Sequence, residues 1–465
     1  MDLTESTIQA NSRLFDRVED VPRQAYTMGI GTIMAARSVL VVVEGSHKAE
    51  IVKKAFFGPG HARSAGVHPA VPSRRHRHCR SGSGCAVQVR GGSVLTGAGF
   101  ASADIVIEGE RFAAVDPQGT AATAADGQVL DASGCYVVPG LIDLHFHGCV
   151  GHDFCDGTEE AIDAIARHEA SCGVTAICPA TMTYPEDVLA PIMDAAASYE
   201  AKRDGAALVG INMEGPYISP GNIGAQNPAY LHLPDEAMFR RLQERSGNLI
   251  KLVDVAPEVD GALDFIRSVS SDVRVSIAHT QADYDTACAA IEAGARQMTH
   301  LCNAMPPLHH RKPGPIGAAF DHSEVMPELI ADGVHIHPSM MRLLFAAFGA
   351  DRVILISDSM MATGLDDGEY SLGGQDVTVR GNVATLRSGT IAGSATDLMA
   401  CVRVAVRDMG IPLDAAVRAA SANPARALGL EGERGSIEVG KIADAVVLDE
   451  NLRVRHVILR GELLG

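Results

Sequence analysis

The chain has 465 residues, of which 46% are hydrophobic and 21% are charged, and it contains no tryptophan. This is the composition of an ordinary globular protein, and the length allows one large domain and a smaller one. The formal net charge of -18 argues against nucleic acid or an anionic membrane surface as a partner. An anionic substrate would therefore need a local basic residue.

The cysteines and the apolar runs indicate in which cellular compartment the protein works. The ten cysteines are scattered and form no Cys-x-x-Cys pair, which fits a reducing cytosol better than a disulfide framework. The apolar run at residues 39–43 is too short to span a bilayer and lies too deep in the chain for a signal peptide. We therefore predict a soluble, cytoplasmic protein.

Residues 1–58 predict a short αβ fragment, with a buried strand at residues 38–43 and a helical pattern at residues 47–57. They contain TIQANSRLFD and GIGTIMAARSVLVVVEGSHKAEIVKKAFFGP, which resemble the C-terminal part of glucosamine-6-phosphate deaminase. The resemblance implies that Lys48 matches a position that helps to hold a sugar phosphate. It also implies that the catalytic carboxylates and histidine of that family lie upstream of this fragment. We therefore predict a remnant without a second active site.

Residues 59–85 differ abruptly in composition, with four histidines, five arginines and no acidic residue. Such a segment lacks the large apolar side chains that a core needs, so we predict a disordered linker. A basic tract can bind nucleic acid, and a cluster of histidine and cysteine can bind metal. The spacing of the histidines and cysteines here fits no zinc motif.

Short strands separated by glycine-containing turns follow at residues 87–94, 103–108 and 111–115. Similar strands return near the end of the chain, at residues 443–448 and 454–460. The two flanks, residues 86–140 and 424–465, therefore predict one small β-sandwich domain built from both ends.

Between residues 141 and 423, strand-like apolar runs alternate with helical patterns such as residues 158–171 and 283–293. The eight runs are residues 141–146, 174–179, 207–213, 250–256, 273–278, 296–301, 327–331 and 353–357. Eight βα units predict an α/β fold of the (β/α)8 TIM-like barrel type, with the active site at the C-terminal ends of the strands. A doubly wound open sheet is the alternative, but no glycine-rich phosphate loop follows the first strand.

Polar residues of metal-ligand type end five of these runs. Residues two apart on a strand point to the same face, so His145 and His147 would project together. The whole set comprises His145, His147, Glu214, His279, His300 and Asp358. Imidazole and carboxylate ligands suit zinc or iron, and the absence of cysteine from the set argues against a closed structural zinc site. We therefore predict a divalent metal at the strand ends.

Seven motifs run through this part of the chain: PGLIDLHFHG, MEGPYISPGNIGAQNP, IAHT, THLCNAMPPLHHRKPG, IADGVHIHP, ISDSM and IAGSATDLM. With them, the chain from about Val87 onward resembles N-acetylglucosamine-6-phosphate deacetylase of the amidohydrolase superfamily. The resemblance implies that Glu214, His279 and His300 are the principal metal ligands. It implies that His145 and His147 hold a second ion, which gives one or two ions per subunit.

The predicted reaction is hydrolysis of the N-acetyl group of N-acetylglucosamine 6-phosphate to glucosamine 6-phosphate and acetate. A bound metal lowers the pKa of its water towards 7 and stabilises the developing oxyanion. Asp358 is predicted to take the proton from that water and return it to the leaving amine, which is also the role that the resemblance implies.

The resemblance also implies the residues that hold the sugar phosphate. Arg311 would bind the 6-phosphate, for which a guanidinium group offers bidentate hydrogen bonds. In the family this arginine reaches the site of the neighbouring subunit, so a homodimer is expected. The remaining predicted contacts are Ala225, Gln226, Asn227, Asn303, Ala304, His335, Ile391, Ala392, Gly393 and Ser394, of which the last four match a loop that closes the site.

Three alternatives remain open from the sequence. The substrate can be another N-acetyl hexosamine phosphate, because the sequence does not fix the stereochemistry of the sugar. The chain can be a bifunctional deacetylase and deaminase, although the upstream catalytic half of the deaminase does not precede residues 1–58. A non-catalytic barrel that acts as an assembly protein would require lost ligands, and none of the six is lost.

Overall fold

The computed structural model describes residues 87–116 and 128–464. The contacts divide the chain into Met1–Ser83 and Gly84–Gly465, so all described residues belong to the second unit. The predictions for residues 1–58 and 59–85 lie outside the described residues. Among the described residues, no helix has the length and apolar character needed to cross a membrane.

The two flanks form one sheet of eight strands. In spatial order, seven of its strands are Glu462–Leu463, Val454–Leu459, Ala445–Leu448, Tyr136–Pro139, Val87–Thr96, Gly99–Glu108 and Arg111–Asp116, and Gln128–Asp131 pairs beside Val87–Thr96. The flanks meet where Val138 pairs with Val446 in antiparallel register. Alternate side chains such as Ile105, Ile107 and Phe112 are buried in a separate apolar cluster. The strands of both flanks therefore lie in one sheet, where the sequence analysis predicted a β-sandwich.

The central part of the chain forms the predicted eight-stranded parallel barrel. Its strands, in order from first to eighth, are Leu141–Asp143, Val174–Ile177, Ala207–Leu208 continued by Ile211–Met213, Ile250–Val255, Arg274–Ile277, Gln297–Met298, Met326–Ile330 and Ile354–Ile356. Successive strands pair in parallel. The eighth strand returns to the first, where the Asp358 backbone N–H donates to the His145 carbonyl at 3.0 Å. Each predicted apolar run coincides with one barrel strand to within a few residues at either end.

Helices surround these strands, and several begin at a side chain that caps them. Thr158 accepts a hydrogen bond from the Ala161 backbone N–H, and Asp283 accepts one from the Thr286 N–H, so both predicted helical patterns are helices. The helices are Glu159–Ser171, Glu186–Ser198, Glu236–Arg245, Ala262–Val269, Tyr284–Ala293, Gly314–Asp321, Pro338–Phe348, Leu398–Arg407, Leu413–Ala419 and Ala422–Ala427. The apolar faces of all but the last of these helices pack on the barrel in the main core cluster.

A four-stranded antiparallel sheet, which we call the inserted sheet, follows the eighth barrel strand. Its strands are Gly368–Leu372, Gln375–Arg380, Val383–Leu386 and Ile391–Ser394. The structure therefore places Ile391–Ser394 in a strand, where the sequence analysis predicted a loop. The apolar side chains of the sheet, including Leu372, Val377 and Val379, form their own buried cluster. Gly373 and Gly374 make the first hairpin turn with φ of 58° and 75°.

Candidate metal centre and active site

Three of the predicted site residues lie where the chain bends just beyond a barrel strand. His279, His300 and Asp358 have positive φ values of 42°, 31° and 50°. Positive φ is uncommon for residues other than glycine, and such backbone strain is concentrated at functional sites. The parallel strands bring these bends to one end of the barrel, as the fold predicts.

Glu214, His279 and His300 converge, and we call them the principal group. The His279 Nε2 atom lies 3.0 Å from Glu214 Oε1 and 3.1 Å from His300 Nε2, and His300 Nε2 lies 3.4 Å from the same oxygen. His279 Nδ1 donates to the Asn222 carbonyl at 3.1 Å, so Nε2 carries the lone pair. A carboxylate oxygen and two imidazole nitrogens directed at one point fit a divalent cation.

His145, His147 and Asp358 form the second group. Asp358 Oδ1 lies 3.3 Å from His147 Nε2 and 3.7 Å from His145 Nε2. Glu214 lies between the groups, because its two oxygens are 3.6 Å from His145 Nε2 and 3.4 Å from His147 Nε2. The His145 Nε2 atom is fully buried and has no hydrogen-bond partner. A buried nitrogen without a partner is costly unless a ligand satisfies it, so this group also fits a metal ion.

The electrostatics of the cluster also favour a cation. Burial opposes the ionisation of Glu214, but the neighbouring imidazoles, that of His145 first and then those of His279 and His300, hold its pKa well below the usual value. Burial lowers the pKa of His145, whereas Glu328 and Glu214 raise it well above the usual value. The buried carboxylates therefore attract positive charge, which a metal ion supplies when it is bound.

A cavity of about 470 Å³ opens beside both groups. Of the predicted site residues, the cavity is lined by His147, Glu214, Ala225, Gln226, His279, His300, Asn303, Ala304, His335, Asp358, Ile391 and Gly393. The sequence analysis missed Met182, Gly221, Asn222, Ile223, Gly224, Leu372 and Thr390. Residues 221–224 lie in the motif MEGPYISPGNIGAQNP, so the sequence could have identified them as site residues. No sequence pattern marks Met182 as a site residue.

Five predicted site residues do not line this cavity. His145 is buried behind it with its Nε2 atom facing the other ligands. Asn227 caps a short 3-10 turn by accepting from the Ala229 N–H. Ala392 is buried in the inserted sheet. Ser394 donates through its backbone N–H to the Asp358 carbonyl at 2.7 Å, so it holds the bend that carries the carboxyl group.

Arg311 is the fifth, and it lies on the surface. Its Nη1 atom is 2.7 Å from His310 Nε2, and its backbone N–H donates to His309 Nδ1. Among the described residues that line the cavity there is no lysine or arginine. Within one copy of the chain, Arg311 therefore does not take part in the cavity.

Two polar side chains at the cavity are held by neighbours. Gln226 Nε2 donates to Glu214 Oε2 at 2.8 Å, while its Oε1 accepts from the Thr183 N–H at 2.8 Å. The Gln226 amide therefore supports a candidate metal ligand, where the sequence analysis predicted a substrate contact. His335 Nδ1 lies 2.7 Å from Asp332 Oδ2. Burial lowers the pKa of His335, but this hydrogen bond and the charge of Asp332 raise it above its usual value.

The comparisons with known proteins agree with this geometry. The Amidohydrolase family model matches residues 136–464. The chain is 39% identical to N-acetylglucosamine-6-phosphate deacetylase of Bacillus subtilis (strain 168), over 70% of this chain and 84% of the relative. It is 36% identical to N-acetylgalactosamine-6-phosphate deacetylase of Escherichia coli O157:H7, over 76% of this chain and 92% of the relative.

A solved structure of a deacetylase is also similar to this chain. The chain is similar to a variant of the N-acetyl-D-glucosamine-6-phosphate deacetylase of Mycobacterium smegmatis in complex with N-acetyl-D-glucosamine-6-phosphate. The TM-score is 0.76 at 35% identity, and the match covers 82% of this chain and 100% of the other. The family model, the relatives and the six converging ligand-type side chains lead to one conclusion: the chain belongs to the amidohydrolase family, in its group of N-acetylglucosamine-6-phosphate deacetylases.

Proposed function

We propose that this chain hydrolyses the N-acetyl group of N-acetylglucosamine 6-phosphate to glucosamine 6-phosphate and acetate. The observation that carries the proposal is the convergence of the principal and second groups beside a cavity of about 470 Å³. This volume lies in the range typical of small-molecule sites. The relatives named above act on the same class of amino sugar phosphate.

The cofactor we propose is zinc or iron, with one ion in the principal group and a second ion in the group that contains His145 and His147. A bound divalent ion would supply an activated water and would polarise the acetyl carbonyl. His279 and His300 would present their Nε2 atoms to the first ion, together with Glu214. The oxygen and nitrogen donors of both groups suit these metals.

Asp358 is the proposed general base and acid. Burial raises its pKa, but the hydrogen bond from His147 and the charges of His145 and His147 lower it below the usual value, so the carboxyl group is ionised at neutral pH. The carboxylate lies at the cavity wall and can accept the proton of the attacking water. It can then return that proton to the amine that leaves.

Arg311 is proposed to bind the 6-phosphate in the cavity of a second copy, which makes the active unit a homodimer. Two observations support this arrangement: the described lining of the cavity contains no lysine or arginine, and Arg311 is exposed outside it. Mixing Arg311→Ala with Asp358→Asn subunits tests it, because one site of each mixed dimer then has both residues. Random pairing in a two-fold dimer would restore about a quarter of the wild-type activity. No recovery from two folded, dimeric variants would contradict the proposal.

The experiment that tests the function measures acetate release together with bound metal. We expect acetate from N-acetylglucosamine 6-phosphate, a much smaller rate from unphosphorylated N-acetylglucosamine, and loss of activity on treatment with chelator. Release of no acetate by metal-loaded protein would contradict a deacetylase and would support an assembly protein. Ammonia release from glucosamine 6-phosphate would instead support the bifunctional alternative that residues 1–58 suggest.

A second candidate substrate is N-acetylgalactosamine 6-phosphate. The 36% identity to a deacetylase named for that sugar, over 92% of the relative, favours this candidate. The two substrates differ only in the configuration of one hydroxyl group, so they share the reaction and the residues described above. The ratio of kcat/KM for the two sugars decides between them.

A further inference from the structure

We propose that Glu328 is a positioning residue that holds the imidazole of His145 with its Nε2 atom directed at the metal centre. The inference rests on the proposed metal-dependent function and extends it to a residue that neither binds substrate nor lines the cavity. Glu328 belongs to the seventh barrel strand, Met326–Ile330, and is fully buried inside the barrel. The role follows from the contacts of its two carboxyl oxygens.

The carboxyl group of Glu328 connects three parts of the site. Its Oε2 atom lies 3.0 Å from His145 Nδ1 and accepts from the His300 backbone N–H at 3.3 Å. Its Oε1 atom accepts from the Gln297 side-chain amide. A buried carboxylate is tolerated only where such partners compensate for the loss of water. Glu328 is therefore held in one orientation by groups on the first and sixth barrel strands and the bends beyond them.

This contact determines which nitrogen of His145 faces the metal centre. The Glu328 carboxylate can only accept, so its 3.0 Å contact needs a proton on Nδ1, whereas the Asn212 amide nitrogen, a donor 3.3 Å from the same atom, would need a lone pair there. The charge-assisted hydrogen bond to Glu328 is the stronger of the two. The proton therefore belongs on Nδ1, and the lone pair is on Nε2. That Nε2 atom is the buried nitrogen without a hydrogen-bond partner, 3.7 Å from Asp358 Oδ1.

A carboxylate behind a ligating histidine fixes the tautomer and the orientation of the ring, and it makes the ligand more basic. Removal of such a partner typically lowers metal affinity by about 10–100-fold. Because Glu328 contacts the imidazole of His145 but only the backbone of His300, its loss should affect the ion of the second group more than the ion of the principal group.

The test compares Glu328→Gln with Glu169→Gln. Glu169 is also fully buried, but neither of its oxygens has a hydrogen-bond partner and burial raises its pKa well above the usual value. It belongs to neither candidate metal group, so replacement by the isosteric amide removes a buried carboxyl group outside them. The measurements are zinc and iron content after dialysis against graded chelator and the unfolding midpoint of the metal-free proteins.

We expect Glu328→Gln to lower the affinity for one ion by about 10–100-fold and Glu169→Gln to leave the affinity for both ions unchanged. Unaltered metal affinity in Glu328→Gln would overturn the positioning role while leaving the proposed function intact. Wild-type protein that binds no ion would overturn the proposed function, and with it this inference.

A double-variant cycle separates positioning from general structural support. Once His145→Ala has removed the imidazole, addition of Glu328→Gln should cause no further loss of metal affinity, because the two residues act through one contact. Additive losses would show that Glu328 acts independently of His145 and would overturn the proposal. This cycle stays informative even if Glu328→Gln lowers the unfolding midpoint.

Discussion

The two groups of metal-ligand-type side chains are held in different ways. In the principal group, His279 is oriented by a backbone carbonyl at Asn222, in the loop that also lines the cavity. In the second group, His145 is oriented by Glu328, which lies inside the barrel and does not line the cavity. One group is therefore coupled to a loop of the cavity wall and the other to the core of the fold.

The spacing of the groups differs as well. The nearest approach in the principal group is 3.0 Å, between His279 Nε2 and Glu214 Oε1, whereas the second group is wider, at 3.3 and 3.7 Å from Asp358 Oδ1 to its histidines. Two ions that share Glu214 need not be bound with equal strength. The comparison predicts that the ion of the principal group is bound more tightly than the ion of the second group.

The largest loss of metal binding and activity is expected from a change at Glu214, which lies between the two groups. Glu214 lies within 3.6 Å of a ring nitrogen of His145, His147, His279 and His300. Glu214→Gln removes the negative charge shared by both groups, so we expect weak binding of both ions and acetate release at background level. Metal analysis checks this outcome, with Glu169→Gln as the control for loss of a buried carboxyl group. Retention of one tightly bound ion would show that the groups are independent.

The next effect concerns Asp358, which belongs to the second group by geometry but is proposed to transfer the proton. Asp358→Asn should lower kcat by about 10²–10⁴-fold, the usual contribution of a general acid or base. We expect the ion of the principal group to stay bound, because Asp358 is not among its ligands. Substantial activity in a variant with unchanged metal content would reject the assignment.

A smaller loss of activity is expected when the second group alone loses its histidines. The double variant His145→Asn, His147→Asn should lower the metal content of a two-ion protein by one ion per chain, with the principal ion retained. Activity then falls only to the extent that the second ion contributes to the reaction. Zinc and iron content and kcat are measured on the same preparation. Loss of both ions would mean that the two groups are one cooperative site.

The barrel and the six candidate ligand positions were predictable for the same physical reason, and five of the six line the cavity. Parallel strands give apolar runs, and all of them end at one edge of the sheet, so a polar residue that stops a run lies near the others. His147, Glu214, His279, His300 and Asp358 follow this rule and line the cavity. No knowledge of side-chain contacts was needed for these positions.

The supporting residues could not be found in that way. Glu328 is one carboxyl group within an apolar strand, and its partner His145 is 183 residues away in sequence. The inserted sheet was missed, although alternation of Val377 and Val379 with polar residues and the Gly373–Gly374 turn carried a signal. The contact that we propose for Arg311 depends on a second copy, which no local pattern specifies.

The last prediction tests whether Gln226 supports the principal group or binds the sugar. Gln226→Leu removes the hydrogen bond to Glu214 and leaves the Thr183 N–H without its acceptor, so we expect metal affinity to fall by about 10-fold. KM, measured with saturating metal, should change less than metal affinity. The reason is that the oxygen and the nitrogen of the Gln226 amide are both hydrogen-bonded within the protein. Gln88→Leu is the control, because Gln88 is buried and its side-chain amide has no hydrogen-bond partner. A raised KM with unchanged metal affinity would instead establish that Gln226 contacts the substrate. The contact between His279 and the Asn222 carbonyl would then be the one that orients the principal group.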